Sequence, residues 1–357
     1  MARRDSLKRN IKDFFELIVG RQLWIQTHDI PDPDALASAE AFRIIARYFG
    51  VSGRIVLNGF PNRRENRALI QECKIKTRPL ESVKIRFALR SAWAFVDCLP
   101  GSGNVTLHPL APGDIFMAID HHVKAVNSWS DYPHAFITVN RTAGATATLI
   151  GKLLLELEIP FPPRLASALS YAIITDTQDF SRGASEVDLD MYAALFPLTN
   201  QKIISRLRNV TKPKQYFNIV HRSLANTYVY RHLAWVFIGE VESGESAAEM
   251  ADFILSCERI TWALALGNNP EKIFLSLRSS NPYARCEKII HKLVPHSQST
   301  VGGHNQFAGG YIIFDKTTDP NELADILVKR FVRLILRLPK SAEDPVGNLL
   351  VEKDDPG

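Results

Sequence analysis

Ile115-Phe116-Met117-Ala118-Ile119-Asp120-His121-His122 is an apolar run that stops at one carboxylate and two imidazoles. A short, wholly apolar run reads as a strand buried on both faces, as in a parallel sheet. Nitrogen and oxygen donors massed at its end suit a divalent metal. Similar runs lie at residues 23–27, 54–57 and 93–96. Helical spacing falls between or after them, at 34–48, 145–157 and 163–175. Strands alternating with helices imply an α/β fold with a doubly wound, mainly parallel sheet. A second, smaller α/β domain restarts with strand-like residues 233–238. Strands at 260–266 and 272–277 and helices at 246–257, 284–293 and 321–338 complete it. The expected organisation is a catalytic domain at 1–195, a basic connection at 196–225, the second domain at 226–340 and a weakly ordered tail at 341–357. The two domains are expected to face each other across a cleft.

The 357 residues fit a two-domain chain, and 46% apolar composition supplies ordinary cores. A net charge of +5 favours an anionic substrate without marking a duplex-wrapping surface. Cys73, Cys98, Cys257 and Cys286 form no close pair, which argues against a zinc ribbon or a disulfide framework. The N-terminal stretch is basic, but its apolar part is short and interrupted by Glu16. No apolar stretch approaches the ~18 residues of a membrane span. A cytoplasmic protein with no membrane partner is expected.

Three of these runs, and the 163–175 helix, are followed by groups that bind metals. After 23–27 come His28, Asp32 and Asp34; after 93–96 comes Asp97. Asp120, His121 and His122 follow 115–119, and Asp176 follows the 163–175 helix. In open α/β sheets the carboxyl ends of strands share one edge, where ligands bind. Carboxylates crowded there repel unless cations neutralise them. More groups are present than one ion uses, so two metals sharing a carboxylate are expected. Mixed imidazole and carboxylate donors favour Mn2+, Fe2+ or Co2+ over Mg2+. Such a pair supports phosphoester hydrolysis. Taken singly, Asp97 is an ordinary turn residue and 28–34 an ordinary helix start. The four segments in order outweigh those readings.

These residues resemble the DHH phosphoesterase family, whose first motif here runs from His28 through Pro31, Asp32, Asp34 and Ala35 to Ser38. Asp97, Asp120-His121-His122 and Asp176-Thr177 stand for the remaining motifs. Pro33 and Ala37 stand where the family usually has glycine. Pro33 stiffens the loop, either narrowing substrate access or pre-setting the turn. The resemblance implies His28 and Asp32 on one metal, Asp34, His121 and Asp176 on the other, and Asp97 between them. Asp120 would orient the histidines beside it. His122 would face the scissile phosphate as proton donor or charge stabiliser.

Phe274-Leu275-Ser276-Leu277-Arg278-Ser279 and Gly302-Gly303-His304 resemble segments of the domain that accompanies many DHH catalytic domains. The resemblance implies that Arg278, Ser279, Gly302, Gly303 and His304 bind the substrate's terminal phosphate or nucleotide. Phe307 replaces a family alanine, for packing or for base stacking. The chain looks most like the stand-alone nanoRNase and pAp phosphatase branch of oligoribonucleases. That branch implies a manganese-dependent hydrolase of short 5′-phosphorylated oligoribonucleotides, with pAp as a further substrate. A hydroxide bridging the metals would attack phosphorus. A cyclic-dinucleotide phosphodiesterase is the rival enzyme and a nucleotide-sensing module the non-enzyme reading. The expected partner is short single-stranded RNA or a nucleotide and not a long duplex; a homodimer is left open.

Overall fold

A computed structural model describes residues 4–351 apart from 60, 62, 85–90, 103, 114, 123–133, 295–298, 316 and 340. The chain divides into two units, Met1–Val210 and Thr211–Gly357.

The first unit opens on helix α1 (Arg4–Leu17). Ile11, Phe14, Phe15 and the following Ile18 are buried, so the basic N-terminal stretch is an amphipathic helix anchored in the core. Then come β1 (Gln22–Gln26), α2 (Pro33–Tyr48), β2 (Gly53–Leu57), α3 (Arg64–Cys73), β3 (Thr77–Pro79), β4 (Ser91–Val96), β5 (Ile115–Asp120) and β6 (His134–Val139). Helices α4 (Thr146–Glu156), α5 (Pro163–Asp176), α6 (Glu186–Leu195) and α7 (Gln201–Arg208) follow. The strands pair in parallel throughout, in the order β3-β2-β1-β4-β5-β6. This is the doubly wound order expected from the sequence.

Every residue of β4 and β5 is buried. Ala94, Val96, Met117 and Ile119 face one core with Leu36 and Phe42 of α2 and Leu169 of α5. Trp93, Phe95 and Phe116 face the other with Trp24, Val56 and Leu99. A one-residue slip would exchange the two sets, so packing on both faces fixes the register.

The second unit contains α8 (Lys214–Ala225), β7 (Thr227–Tyr230), β8 (Leu233–Glu240), α9 (Gly244–Leu255), β9 (Trp262–Asn268) and β10 (Lys272–Ser279). After these come α10 (Cys286–Leu293), β11 (Ser299–His304), β12 (Phe307–Ile313), α11 (Pro320–Leu336) and β13 (Asn348–Leu349). The sheet order is β11-β12-β10-β9-β8-β7-β13, with β8 and β9 parallel and the other pairs antiparallel.

Residues 196–225, where the sequence suggests a connection, are mostly helical. Ile203 and Leu207 of α7 enter the first unit's core, while Tyr216, Ile219 and Val220 of α8 pack on the second unit. Among the basic residues of this stretch, Arg206 pairs with Glu72, Arg208 with Asp179 and Lys212 with Glu249. Within the expected tail, Asn348 and Leu349 pair with β7. No helix among the described residues is long and apolar enough to cross a membrane.

Candidate metal centre

The first sheet has its switch point between β1 and β4, because the chain leaves β1 toward one side and β4 toward the other. Past these two ends stand His28 and Asp97. His28 Nε2 lies 3.6 Å from Asp97 Oδ2 and 3.8 Å from Asp32 Oδ1. Asp97 adopts φ 61°. A left-handed conformation costs a residue with a Cβ about 1–2 kcal/mol, and it persists where the surroundings impose it. One such restraint is the Asp97 N–H, which donates to Ile119 O of β5.

Asp32 caps α2 by accepting from Ala35 N at 3.0 Å. Pro33 takes the first helical position, where its fixed φ suits the turn and no N–H is needed. The departure at Pro33 thus has a local structural reason. Asp29, inside the same acidic run, turns to Thr106 and accepts from its N and Oγ1, both at 2.7 Å.

Asp34 is buried, and its two oxygens accept from Thr146 N and Ala147 N, each at 2.7 Å. Helix α4 has no capping side chain of its own, since Ala145 stands at that position. Asp34 supplies the cap from across the unit, at the end of the helix where a carboxylate is favoured. His121 Nε2 lies 3.2 Å from Asp176 Oδ2, 3.6 Å from Asp97 Oδ1 and 3.9 Å from Asp34 Oδ2.

Three overlapping sets have ligand atoms within 4.8 Å of one another: His28, Asp32 and Asp97; Asp34, His121 and Asp176; and Asp97, His121 and His122. Asp120, at the end of β5, accepts from His122 Nδ1 at 2.8 Å and from His122 N at 3.1 Å. The two histidine rings lie 4.2 Å apart, and Asp120 bonds that of His122.

The electrostatics follow from burial and crowding. Burial, then the charges of Asp97, Asp176 and Asp32, holds the Asp34 carboxyl well above its usual range. Burial, then Asp32 and Asp97, lifts Asp176 to about 8. Burial pulls down His28, but hydrogen bonds and charge from Asp32 and Asp97 outweigh it and raise the imidazole to about 10. Burial likewise opposes a proton on His122, yet the Asp120 hydrogen bond and the charges of Asp97 and Asp120 raise it to about 9. Burial lowers His121, leaving a neutral ring.

These residues fit divalent metal ions. His121 Nε2 is buried and has no hydrogen-bond partner, although three carboxylates surround it. A neutral imidazole with an unpaired nitrogen among carboxylates is a metal-ligand environment. Cations would also relieve the repulsion that raises Asp34 and Asp176.

Some participants are not evident from the sequence motifs. Thr146 Oγ1 donates to Asp97 Oδ1 at 2.8 Å, whereas Ser38, which ends the first motif, donates through Oγ to Asp34 Oδ1 at 3.3 Å. Arg182 lies within electrostatic reach of Asp176. Thr146 stands at the start of a helix, where threonine is ordinary; only the fold reveals its partners.

In the second unit, Arg278 Nε donates to Asp252 Oδ1 at 2.6 Å, and the guanidinium lies 5.7 Å from the Phe307 ring centre. Ser279 is turned into the fold: it is buried and donates to Thr261 O at 2.8 Å. That bond orders the end of β10. Gly302 and Gly303 lie in β11, within the hairpin that it forms with β12. The His304 side chain lies outside the described residues.

No protein-family model matches the chain. It is 27% identical over 320 residues to an uncharacterized protein of Methanocaldococcus jannaschii, covering 88% of this chain. The match spans 64% of that curated relative's length. Among solved structures, an exopolyphosphatase-related protein from Bacteroides fragilis aligns over 93% of this chain and 98% of its own, at 16% identity and a TM-score of 0.72. RecJ from Thermus thermophilus, in complex with Mn2+, aligns over 94% of this chain and 55% of its own, at 14% identity and a TM-score of 0.52. At such identities the likeness is one of fold: this chain shares the α/β architecture of the exopolyphosphatase-related protein and of RecJ.

Proposed function

We propose that the chain is a DHH-type phosphoesterase that hydrolyses short 5′-phosphorylated oligoribonucleotides with two manganese ions, and takes pAp as a further substrate. The observation that carries this reading is the convergence of His28, Asp32, Asp97, Asp34, His121 and Asp176 at the switch point, with His121 Nε2 left unpaired. His28 and Asp32 would hold one ion, Asp34, His121 and Asp176 the other, and Asp97 both. When bound, the ions supply Lewis acidity toward a phosphoryl group and the attacking water.

The chain's own groups do the rest. His122 is half exposed, and its hydrogen bond to Asp120 favours a proton on the ring in the metal-free chain. It would stabilise charge on a phosphoryl oxygen or give its proton to the leaving oxygen. Asp120 holds that ring in place. The preference for short nucleotides rests on the second unit's resemblance to nucleotide-directed domains. Arg278 would take the terminal phosphate by exchanging Asp252 for it, since Asp252 is largely exposed.

The test is a substrate panel of pApA, pAp, cyclic di-AMP and polyphosphate with Mn2+ or Mg2+. Turnover of pApA ahead of the others is expected. Preference for cyclic di-AMP or polyphosphate would overturn the substrate assignment. His121→Ala is expected to lower turnover at least about 100-fold while circular dichroism stays unchanged. Full turnover in a folded His121→Ala protein would overturn the metal assignment.

A further inference from the structure

Thr146 opens α4 and is fully buried. Its backbone N–H donates to Asp34 Oδ2 at 2.7 Å, and its hydroxyl donates to Asp97 Oδ1 at 2.8 Å. One residue therefore holds two carboxylates of the centre. The Asp97 oxygen that it holds is 3.6 Å from His121 Nε2 and 3.7 Å from His122 Nδ1. The other oxygen lies 3.6 Å from His28 Nε2. The two faces of the site thus meet in the plane of one carboxylate. The terminal torsion of an aspartate is broad and soft, so that plane needs an external restraint.

The helix end that carries the hydroxyl is itself fixed. Asp188, fully buried, accepts from Gly144 N at 2.8 Å, Thr148 Oγ1 at 2.6 Å, Ser185 N at 2.8 Å and Ser185 Oγ at 2.9 Å. A Cβ on Gly144 would meet Gly183 O at 2.7 Å and Thr177 Cγ2 at 2.8 Å, so this loop is seated against the turn that follows Asp176. A donor mounted on such a support can orient its acceptor.

We infer that Thr146 is a positioning residue: its hydroxyl sets the plane of Asp97 so that one oxygen addresses each side of the centre. The inference rests on the two-metal reading above, and the Thr146 hydroxyl acts through Asp97 alone.

Thr146→Val keeps the branch and the backbone N–H and removes the hydroxyl. Thr146→Ser keeps the hydroxyl. Manganese binding to the full chain is measured by calorimetry without substrate, beside thermal unfolding of the metal-free proteins. The valine variant is expected to bind manganese about 10–100-fold more weakly, and the serine variant close to the unaltered chain. Thr146→Ala takes the place of valine if that variant does not fold. Unchanged affinity in the hydroxyl-free variant, or equal weakening in the serine variant, overturns the inference while the metal reading stands. Absence of manganese binding by the unaltered chain instead overturns the metal reading, and the inference with it.

Discussion

Asp176 holds its proton up to about pH 8, and His28 and His122 hold theirs to about 10 and 9. Unfolded, the carboxyl titrates near 4 and the imidazoles near 6.5. Between pH 6 and 9 the folded, metal-free chain therefore binds more protons than the unfolded one. Its stability from these groups is full below their unfolded values and falls as pH rises through the folded ones. The metal-free protein is expected to melt at lower temperature at pH 9 than at pH 6. Manganese on Asp176 and His28 displaces their two protons, so its stabilising effect is expected to grow over that window. Thermal unfolding with EDTA or with manganese at several pH values checks this; a metal effect that shrinks toward pH 9 contradicts it. At this scale the candidate ligand set is legible because its members follow apolar runs or, for Asp176, a helical stretch. Thr146 is not, because its partners Asp34 and Asp97 lie far away in sequence and hydroxyl residues near helix starts are commonplace; the Asp188 bonds to Gly144 and Thr148 are likewise long-range.

Among the elements, the β11–β12 hairpin separates two roles that glycine can play. A Cβ on Gly303 would stand 2.4 Å from Ala308 Cα and from Phe307 O, so strand packing excludes any side chain there. Around a Cβ on Gly302 there is nothing within 4 Å. Gly303→Ala is expected to destabilise the second unit by about 2–4 kcal/mol, measured by denaturant unfolding. Gly302→Ala is expected to leave stability unchanged; any loss of substrate affinity then assigns that position to the ligand. The sequence does not separate these two glycines, because lack of a side chain reads alike for a bend and for close approach of backbones. Strand β6 escaped notice for another reason. It is an edge strand with partly exposed residues, so it lacks the unbroken apolar run of β5. Helix α2, by contrast, announced itself through Asp32, Pro33 and its apolar spacing, and the structure places it where the sequence does.

For the whole molecule, the six ligand candidates all lie within Met1–Val210, and each unit buries its own cores. A fragment of residues 1–210 is expected to bind manganese without cleaving pApA, and a fragment of residues 211–357 to bind none. Calorimetry on the two fragments checks this, and metal binding by the second fragment alone would refute it. The α/β class of both units was readable because their strands and helices alternate with clear periods. Tertiary capping was not. Asp34 is secured by the main chain of residues 146 and 147, which every amino acid except proline reproduces. That anchorage is therefore robust to mutation: side chains at the head of α4 can drift over generations while Asp34 stays seated. Asp97 has no such insurance at Thr146 Oγ1, where one base change can erase its tether.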